Sequence, residues 1–304
     1  MPVENPVYPD DPFDPDNQAA YQRWKARKLK DYPQDAGELM VDIDDPCNLG
    51  EAEREAILLR CAKTNMVIYR GHTGTDPDKR IPATLGAQLG LRNLDRNMGA
   101  DDDGITALRV VDRQWRERYI PYTNRPIHWH TDGYYNGLDQ QINSLLLHCV
   151  RPAAGGGENA LLDHEIAYIR LRDMNPDFTR ALMAPDAMTI PANISEGQLL
   201  RPARSGPVFS SFSPGNLHMR YTARTHNVEW KDDPLTREAV RALEALLDAD
   251  DPFMFRLALQ PGWGLISNNV LHNRSGFEDS PDRPRLLYRL RYFERVTVMS
   301  QAQP

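Results

Sequence analysis

Three apolar, strand-like runs, Phe253–Leu259, Leu265–Leu271 and Leu286–Val296, follow one another near the C-terminus with no helical pattern between them. Parallel strands need a crossover, usually a helix, to return the chain to the same edge. Without one, these runs must pair antiparallel. Similar runs stand earlier, at Asn65–Tyr69 and Ile142–Val150. The pattern therefore predicts a mainly β protein with helices, built on an antiparallel barrel or jelly roll rather than a doubly wound parallel sheet.

Helical periodicity is confined to the N-terminal part and to one insert. Asn17–Lys30 predicts a first helix with Tyr21, Trp24 and Leu29 on or near one face. Glu51–Lys63 predicts a second, with Ile57, Leu58, Cys61 and Ala62 as its apolar stripe. Asp163 and Asp233 are natural N-caps for helices at Asp163–Met174 and Pro234–Ala249. The stretch 175–216, rich in Pro, Ser and Gly, predicts an irregular insert, so about residues 165–250 would form a lid within the barrel. Residues 1–16, Pro- and Asp-rich, predict an irregular arm on the surface or on a partner. No linker splits the chain, and residues 1–304 are expected to form one domain.

Charge excludes some functions. With 36 Lys+Arg against 43 Asp+Glu, a net charge of −7 and no long basic cluster, nucleic-acid binding is not expected. The longest apolar runs, such as Leu145–Leu147, are too short to span a bilayer, and no secretion signal is visible at the start. Three scattered cysteines, Cys47, Cys61 and Cys149, form no CxxC pair and fit reduced thiols in a cytoplasm. Cys61 and Cys149 sit in apolar contexts that predict core packing.

Chemistry concentrates in three segments. In Ile127–Gly133 (IHWHTDG), side chains of an extended chain alternate, so His130 and Asp132 point to one side, as two ligands of one metal must. A second, remote histidine would complete a 2-His-1-carboxylate set. Gly262–Phe277 (GWGLISNNVLHNRSGF) reads as a turn and then a strand delivering His272 at its end. In Arg285–Arg289 (RLLYR) two arginines four apart share a strand face, and Arg291 shares it too. Arginines on an apolar strand call for anions opposite them, and the planar guanidinium suits a carboxylate. For Arg291 the better reading is an edge position reaching solvent, Glu294 or another acid.

Other candidates read both ways. His128 shares the parity of His130 but is better taken as packing. Tyr134 and Tyr135 fit either the mouth of a substrate site or packing. Arg220, Arg224 and His226 could anchor an acidic substrate or make surface ion pairs. His72, His148 and His164 have no ligand spacing and read as structural. The Gly99–Gly104 segment (GADDDG) reads as a solvated turn, and Gly155–Gly157 match no phosphate loop.

Taken in order, WHTDG, then Gly156-Gly157-Glu158-Asn159, then NxxxHxRxxF, then RxxxR resemble the Fe(II)/2-oxoglutarate-dependent dioxygenases of the taurine dioxygenase (TauD/TfdA-like) family. The likeness runs over roughly residues 60–300. It implies a double-stranded β-helix core with His130, Asp132 and His272 as iron ligands and Arg285 on the distal carboxylate of 2-oxoglutarate. Asn159 stands where the family often has a Thr holding the same cosubstrate. Arg289 would meet the substrate, and Tyr134, from its place directly after the motif rather than from the resemblance, is the candidate at the site mouth. The cofactors implied are Fe(II), 2-oxoglutarate and O2, with succinate and CO2 as coproducts. The substrate would be a small molecule, a carboxylate, sulfonate or similar anion, hydroxylated with or without C–X cleavage. Related halogenases lack the carboxylate ligand, so Asp132 points to hydroxylation-type chemistry. Family members commonly form dimers or tetramers. The alternatives are a zinc-dependent hydrolase or lyase using the same residues, and a non-catalytic jelly-roll binding module.

Overall fold

A computed structural model describes residues 10–96, 100–111, 119–195, 197–213, 215–224 and 228–298. Among these are six α-helices: α1 (Gln18–Leu29), α2 (Glu51–Thr64), α3 (Arg80–Gln88), α4 (His164–Met174), α5 (Pro176–Leu182) and α6 (Pro234–Asp248). The expected caps Asp163 and Asp233 form, and Asn17 caps α1 as well, each accepting a backbone N–H of the first turn. Among the described residues no helix is long and apolar enough to cross a membrane. The chain divides into two compact units, residues 1–32, 129–141 and 162–254, and residues 33–128, 142–161 and 255–304.

The second unit holds a six-stranded sheet in the order Met40–Asp42, Met66–Arg70, Trp263–Ser267, Ser144–Arg151, Leu286–Tyr292, Thr106–Leu108. Four of its five pairings are antiparallel, as the late strands required. The exception is Met40–Asp42 beside Met66–Arg70, a parallel pair whose crossover is α2. On one face Ile57, Leu58 and Cys61 of α2 and Leu85 of α3 pack with Tyr69, Leu146, Ile266, Leu290 and Tyr292. Ala62, expected in that stripe, is exposed, because the stripe narrows to one side of the helix. Burial pushes the Cys61 and Cys149 thiols up to about 12, which suits core packing and no reactivity.

Gly264 sits mid-strand opposite both Tyr69 and His148. The Tyr69 ring lies across it, and the Tyr69 hydroxyl stands 2.8 Å from His148 Nδ1. A Cβ on Gly264 would meet Leu147 O at 2.2 Å and the Tyr69 ring at 2.3 Å, so only glycine fits. Burial lowers the His148 pKa to about 4. Its folded value lies below the unfolded one of 6.5, so the unfolded chain binds the extra proton between pH 6.5 and 4. Stability contributed by neutral His148 is present above that window and lost as pH falls through it, by about 3 kcal/mol. Urea midpoints measured from pH 7 to 4 should fall, and His148→Gln should flatten part of that slope. An identical slope in the variant would refute the assignment.

A second sheet has four strands in the order Met254–Leu257, Asn159–Leu162, Leu271–Arg274, Ile127–His130. The expected single strand Leu265–Leu271 is broken. Asn269 takes a positive φ of 55°, which Asn tolerates better than most residues, and the chain leaves the six-stranded sheet at Ser267 to enter the four-stranded one at Leu271. The corner is fastened by side-chain amides, Asn269 Nδ2 to Ile142 O at 2.7 Å and Asn268 Oδ1 from Val296 N at 2.9 Å.

The first unit contains α1, α4, α5 and α6 with short antiparallel strands. The stretch 175–216 is not irregular: it holds α5, the hairpin Asn193–Ser195/Gln198–Arg201, and strands Met188–Ile190 and Arg204–Gly206 that pair with each other. Strands of three to five residues are too short to show a period, which is why composition alone misread them. The arm is also tied down over its described part. Phe13 is fully buried against Trp24 and Tyr168, and buried Arg172 donates to the carbonyls of Pro12, Asp14 and Pro15. On α1, Tyr21 is buried as expected, but the second buried long side chain is Lys28 rather than Leu29. The turn read in Gly99–Gly104 exists at 101–104, with Asp101 and Asp103 both on Lys79; Gly99 lies outside the described residues.

Candidate metal centre

The WHTDG segment is built to hold its two polar side chains still. Trp129 is buried in the strand Ile127–His130, and the His130 backbone bridges Thr222. Thr131 is clamped twice, its N–H to Tyr221 O at 3.0 Å and its hydroxyl from Tyr221 N at 3.0 Å. Gly133 has φ +69°, so the chain turns away directly after Asp132 at a position that disfavours any side chain.

His272, second residue of Leu271–Arg274, lies on the strand that neighbours Ile127–His130 in the sheet. One ligand atom each from His130, Asp132 and His272 fall within 4.8 Å of one another. His130 Nε2 and Asp132 Oδ1 are 3.8 Å apart, with the carboxylate buried. His272 Nδ1 lies 3.0 Å from Val270 O. A carbonyl only accepts, so Nδ1 carries the proton and Nε2 presents its lone pair. The two imidazoles and one carboxylate anticipated from sequence thus come together. His128 is exposed and outside this group.

The remaining candidates divide. Arg285 immediately precedes the strand Leu286–Tyr292 and is 4% exposed; burial lowers its pKa. Its guanidinium lies 5.0 Å from the Phe277 ring, and that of Arg274 lies 4.7 Å from the same ring. Arg274 donates to Thr123 O at 2.9 Å and Arg125 O at 2.5 Å, and burial, with the Arg285 charge, lowers its pKa to about 9. Among the described residues neither arginine has a carboxylate partner. Gly156, at φ +71°, packs where a Cβ would stand 2.4 Å from Gly276 O, which accounts for glycine at that position. Asn159 is buried in the strand between Met254–Leu257 and Leu271–Arg274.

Arg289 is partly exposed and Arg291 is buried; both project opposite to Leu286, Tyr288, Leu290 and Tyr292, which join the core. Arg291 reaches neither solvent nor Glu294. It pairs with Asp95, while Glu294 accepts from Asn93. Tyr134 is partly buried, and burial raises its pKa. Arg220 makes no ion pair among the described residues and is not free for a substrate. It is 3% exposed and donates to the carbonyls of Tyr134 at 2.7 Å, Met188 at 2.9 Å, Gly206 at 3.3 Å and Arg204 at 2.7 Å. Arg224 is exposed, and His226 lies outside the described residues. His148 and His164, which bonds Leu217 O at 2.9 Å, are structural as read, and His72 is exposed. Sequence reasoning missed Arg274 and Arg220 as organising residues. Arg274 stood inside the NxxxHxRxxF pattern, whereas nothing local marked Arg220.

Comparison with known proteins agrees with this geometry. A "Uridine-5'-phosphate dioxygenase" of Amycolatopsis sp is 34% identical over 171 residues, 55% of this chain and 60% of that protein. A protein of the same description from Streptomyces sp is 30% identical over 199 residues, 62% of this chain and 69% of that one. The chain thus spans about 60% of the length of the first relative. Among solved structures, the non-heme iron oxygenase OrfP in complex with Fe and alpha-ketoglutaric acid superposes with a TM-score of 0.59 at 18% identity, over 81% of each chain. That likeness is one of fold, and the fold is the expected mainly β jelly roll with helices. The model of the "Taurine catabolism dioxygenase TauD, TfdA family" matches residues 26–291, and the chain belongs to that family.

Proposed function

We propose that the protein is a non-haem Fe(II)- and 2-oxoglutarate-dependent dioxygenase that oxidises a small, anionic organic substrate. The observation that carries this reading is the convergence of His130, Asp132 and His272, with ligand atoms within 4.8 Å. The donor set fits the metal: two neutral imidazoles and one carboxylate from one side suit Fe(II) and leave positions open opposite. The Val270 carbonyl fixes His272 with Nε2 available, as a ligating histidine needs. When bound, iron supplies oxygen activation coupled to decarboxylation of 2-oxoglutarate to succinate and CO2.

The chain's own residues then bind and orient. Arg285 is a buried cation with no carboxylate partner among the described residues, so it is poised to receive the distal carboxylate of 2-oxoglutarate. Asn159 offers an amide donor to the same cosubstrate, and Arg289 and Tyr134 face the substrate. The product is an alcohol, or a cleavage product where the oxidised carbon bears a heteroatom. Residues 1–304 act as one oxygenase domain, in a dimer or tetramer. The three free thiols suit a cytoplasmic setting.

Anaerobic addition of Fe(II) and then 2-oxoglutarate should produce a visible charge-transfer band. Air with uridine 5′-phosphate, the substrate in the relatives' name, or with small sulfonates and carboxylates, should then give succinate. Absence of both would end this reading. Arg285→Gln should weaken 2-oxoglutarate binding by roughly 30-fold or more, since an anion would lose its buried partner. Titration of the charge-transfer band measures this, and an unchanged affinity would remove Arg285 from its role.

A further inference from the structure

The backbone on either side of Asp132 is fastened by two consecutive residues, Arg220 and Tyr221. Before Asp132, the Thr131 N–H donates to Tyr221 O and the Thr131 hydroxyl accepts from Tyr221 N–H, each at 3.0 Å. After it, Arg220 Nε donates to Tyr134 O at 2.7 Å. Between the two fastenings lie only Asp132 and Gly133. Gly133 turns the chain at φ +69°, and Asn136 N–H donates back to Gly133 O at 2.8 Å. A glycine beside the ligand permits this turn but gives it little rigidity, because its backbone has the widest conformational freedom. The rigidity has to come from the fastenings.

The rest of the Arg220 fork is anchored in a strand pair. Nη1 donates to Met188 O at 2.9 Å and to Gly206 O at 3.3 Å, and these two residues stand directly opposite each other in the pairing of Met188–Ile190 with Arg204–Gly206. Nη2 donates to Arg204 O at 2.7 Å, and the Arg220 backbone N–H donates to Val208 O at 2.7 Å. The side chain is 3% exposed, and burial lowers its pKa to about 10, so it is still a cation at neutral pH. A buried cation is costly unless its donors are used. Here every nitrogen of the guanidinium is used, and each goes to backbone. A planar fork can reach carbonyls of separate segments from three nitrogens, which the single nitrogen of a lysine cannot.

We propose that Arg220 is a positioning residue for the carboxylate ligand: by tying Tyr134 O to the Met188/Gly206 strand pair, it holds the turn that aims Asp132 at the metal. It acts through the backbone and not by contact with the metal. Without the fork, rotation at Gly133 would let the carboxylate wander, and the metal would have to order the turn on binding. That ordering cost appears as weaker Fe(II) binding. The proposal rests on the metal-centre reading and adds to it the residue that pre-organises its one anionic ligand.

The test is anaerobic calorimetric titration of Fe(II) into the parent and three variants, with melting temperatures of the metal-free proteins recorded alongside. Arg220→Lys keeps the charge but loses the fork, and it should bind Fe(II) about tenfold more weakly or worse. Arg172→Lys is the control for a purely structural role, since Arg172 is also buried and also serves carbonyls, those of Pro12, Asp14 and Pro15. It should lower the melting temperature and leave Fe(II) affinity within about twofold of the parent. Gly206→Ala is a gentler probe that keeps every donor. Its Cβ would stand 3.2 Å from Arg220 Nη1 and 3.4 Å from Leu138 Cδ2, pressing on the fork and on the loop it holds. Fe(II) affinity should fall by about threefold with the fold intact, which covers the case of a lysine variant that does not fold. A folded Arg220→Lys that binds Fe(II) as the parent does would overturn the proposal. So would an Arg172→Lys that loses as much affinity, or a Gly206→Ala with parental affinity beside an unfolded Arg220→Lys. If the parent itself binds no Fe(II), the metal-centre reading fails and takes this proposal with it, a result distinct from a loaded parent beside unaffected variants.

Discussion

Asp132→Ala is expected to abolish Fe(II) binding and with it succinate formation, a loss of at least about two orders of magnitude. Two histidines alone bind Fe(II) weakly, and the carboxylate is the one anionic ligand of the set. A metal that binds only the folded protein stabilises it by RT ln(1 + [L]/Kd), about 2.7 kcal/mol at a hundredfold excess over Kd. Anaerobic Fe(II) should therefore raise the melting temperature of the parent and leave that of the variant unmoved. The metal-free variant should be no less stable than the parent, because the substitution removes a buried carboxylate rather than a packing contact. That combination separates a ligand from a residue that merely supports the fold. A variant that still gains stability with Fe(II) would contradict the assignment. His272→Ala should behave the same way toward the metal.

Lys28→Met should be the most damaging single change outside the metal centre, at about 3–5 kcal/mol. Lys28 Nζ lies 2.6 Å from Asp163 Oδ2 and 2.6 Å from Glu165 Oε2, and all three side chains are buried. The Tyr32 hydroxyl donates to the same Asp163 oxygen at 3.2 Å, and Asp163 also caps α4. Burial alone would lower the Lys28 pKa, yet the two carboxylates win and raise it. Its folded value therefore lies above the unfolded one, and the stability it contributes is complete at neutral pH and lost only as pH rises beyond 10.5. Methionine fills the volume but leaves two carboxylates facing each other without a cation. Chemical denaturation at pH 7 should report the loss. A variant as stable as the parent would mean that solvent reaches this cluster.

Much of the centre could be read from the chain because its logic is local. The HxD pair depends on alternation across three residues. Gly133 and Thr131 serve that geometry from adjacent positions. Helix caps are equally local, and Asp163 and Asp233 act as their positions suggested. Burial of charge was not legible. Lys28 and Arg172 both occur in helical segments with ordinary solvated patterns, and each is buried because partners from distant parts of the sequence surround it. Arg220 and Arg224 looked alike in MRYTARTH; one is consumed by four carbonyls and the other is exposed.

By itself, then, the sequence determined the antiparallel strand succession, the capped helices, and the three candidate ligands with the order in which they occur. These follow from side-chain periodicity and residue chemistry over a few positions. Only the tertiary structure decided that the chain breaks at Asn269, so that His272 enters the sheet beside His130. It also decided that Arg291 is spent on Asp95, whereas the Arg285 guanidinium makes no ion pair among the described residues, Asp279 accepting only from its backbone N–H. The reason is physical: periodicity tells which face of an element is apolar, but a buried cation's fate depends on which acceptors fold against it. Those acceptors lie far away along the chain.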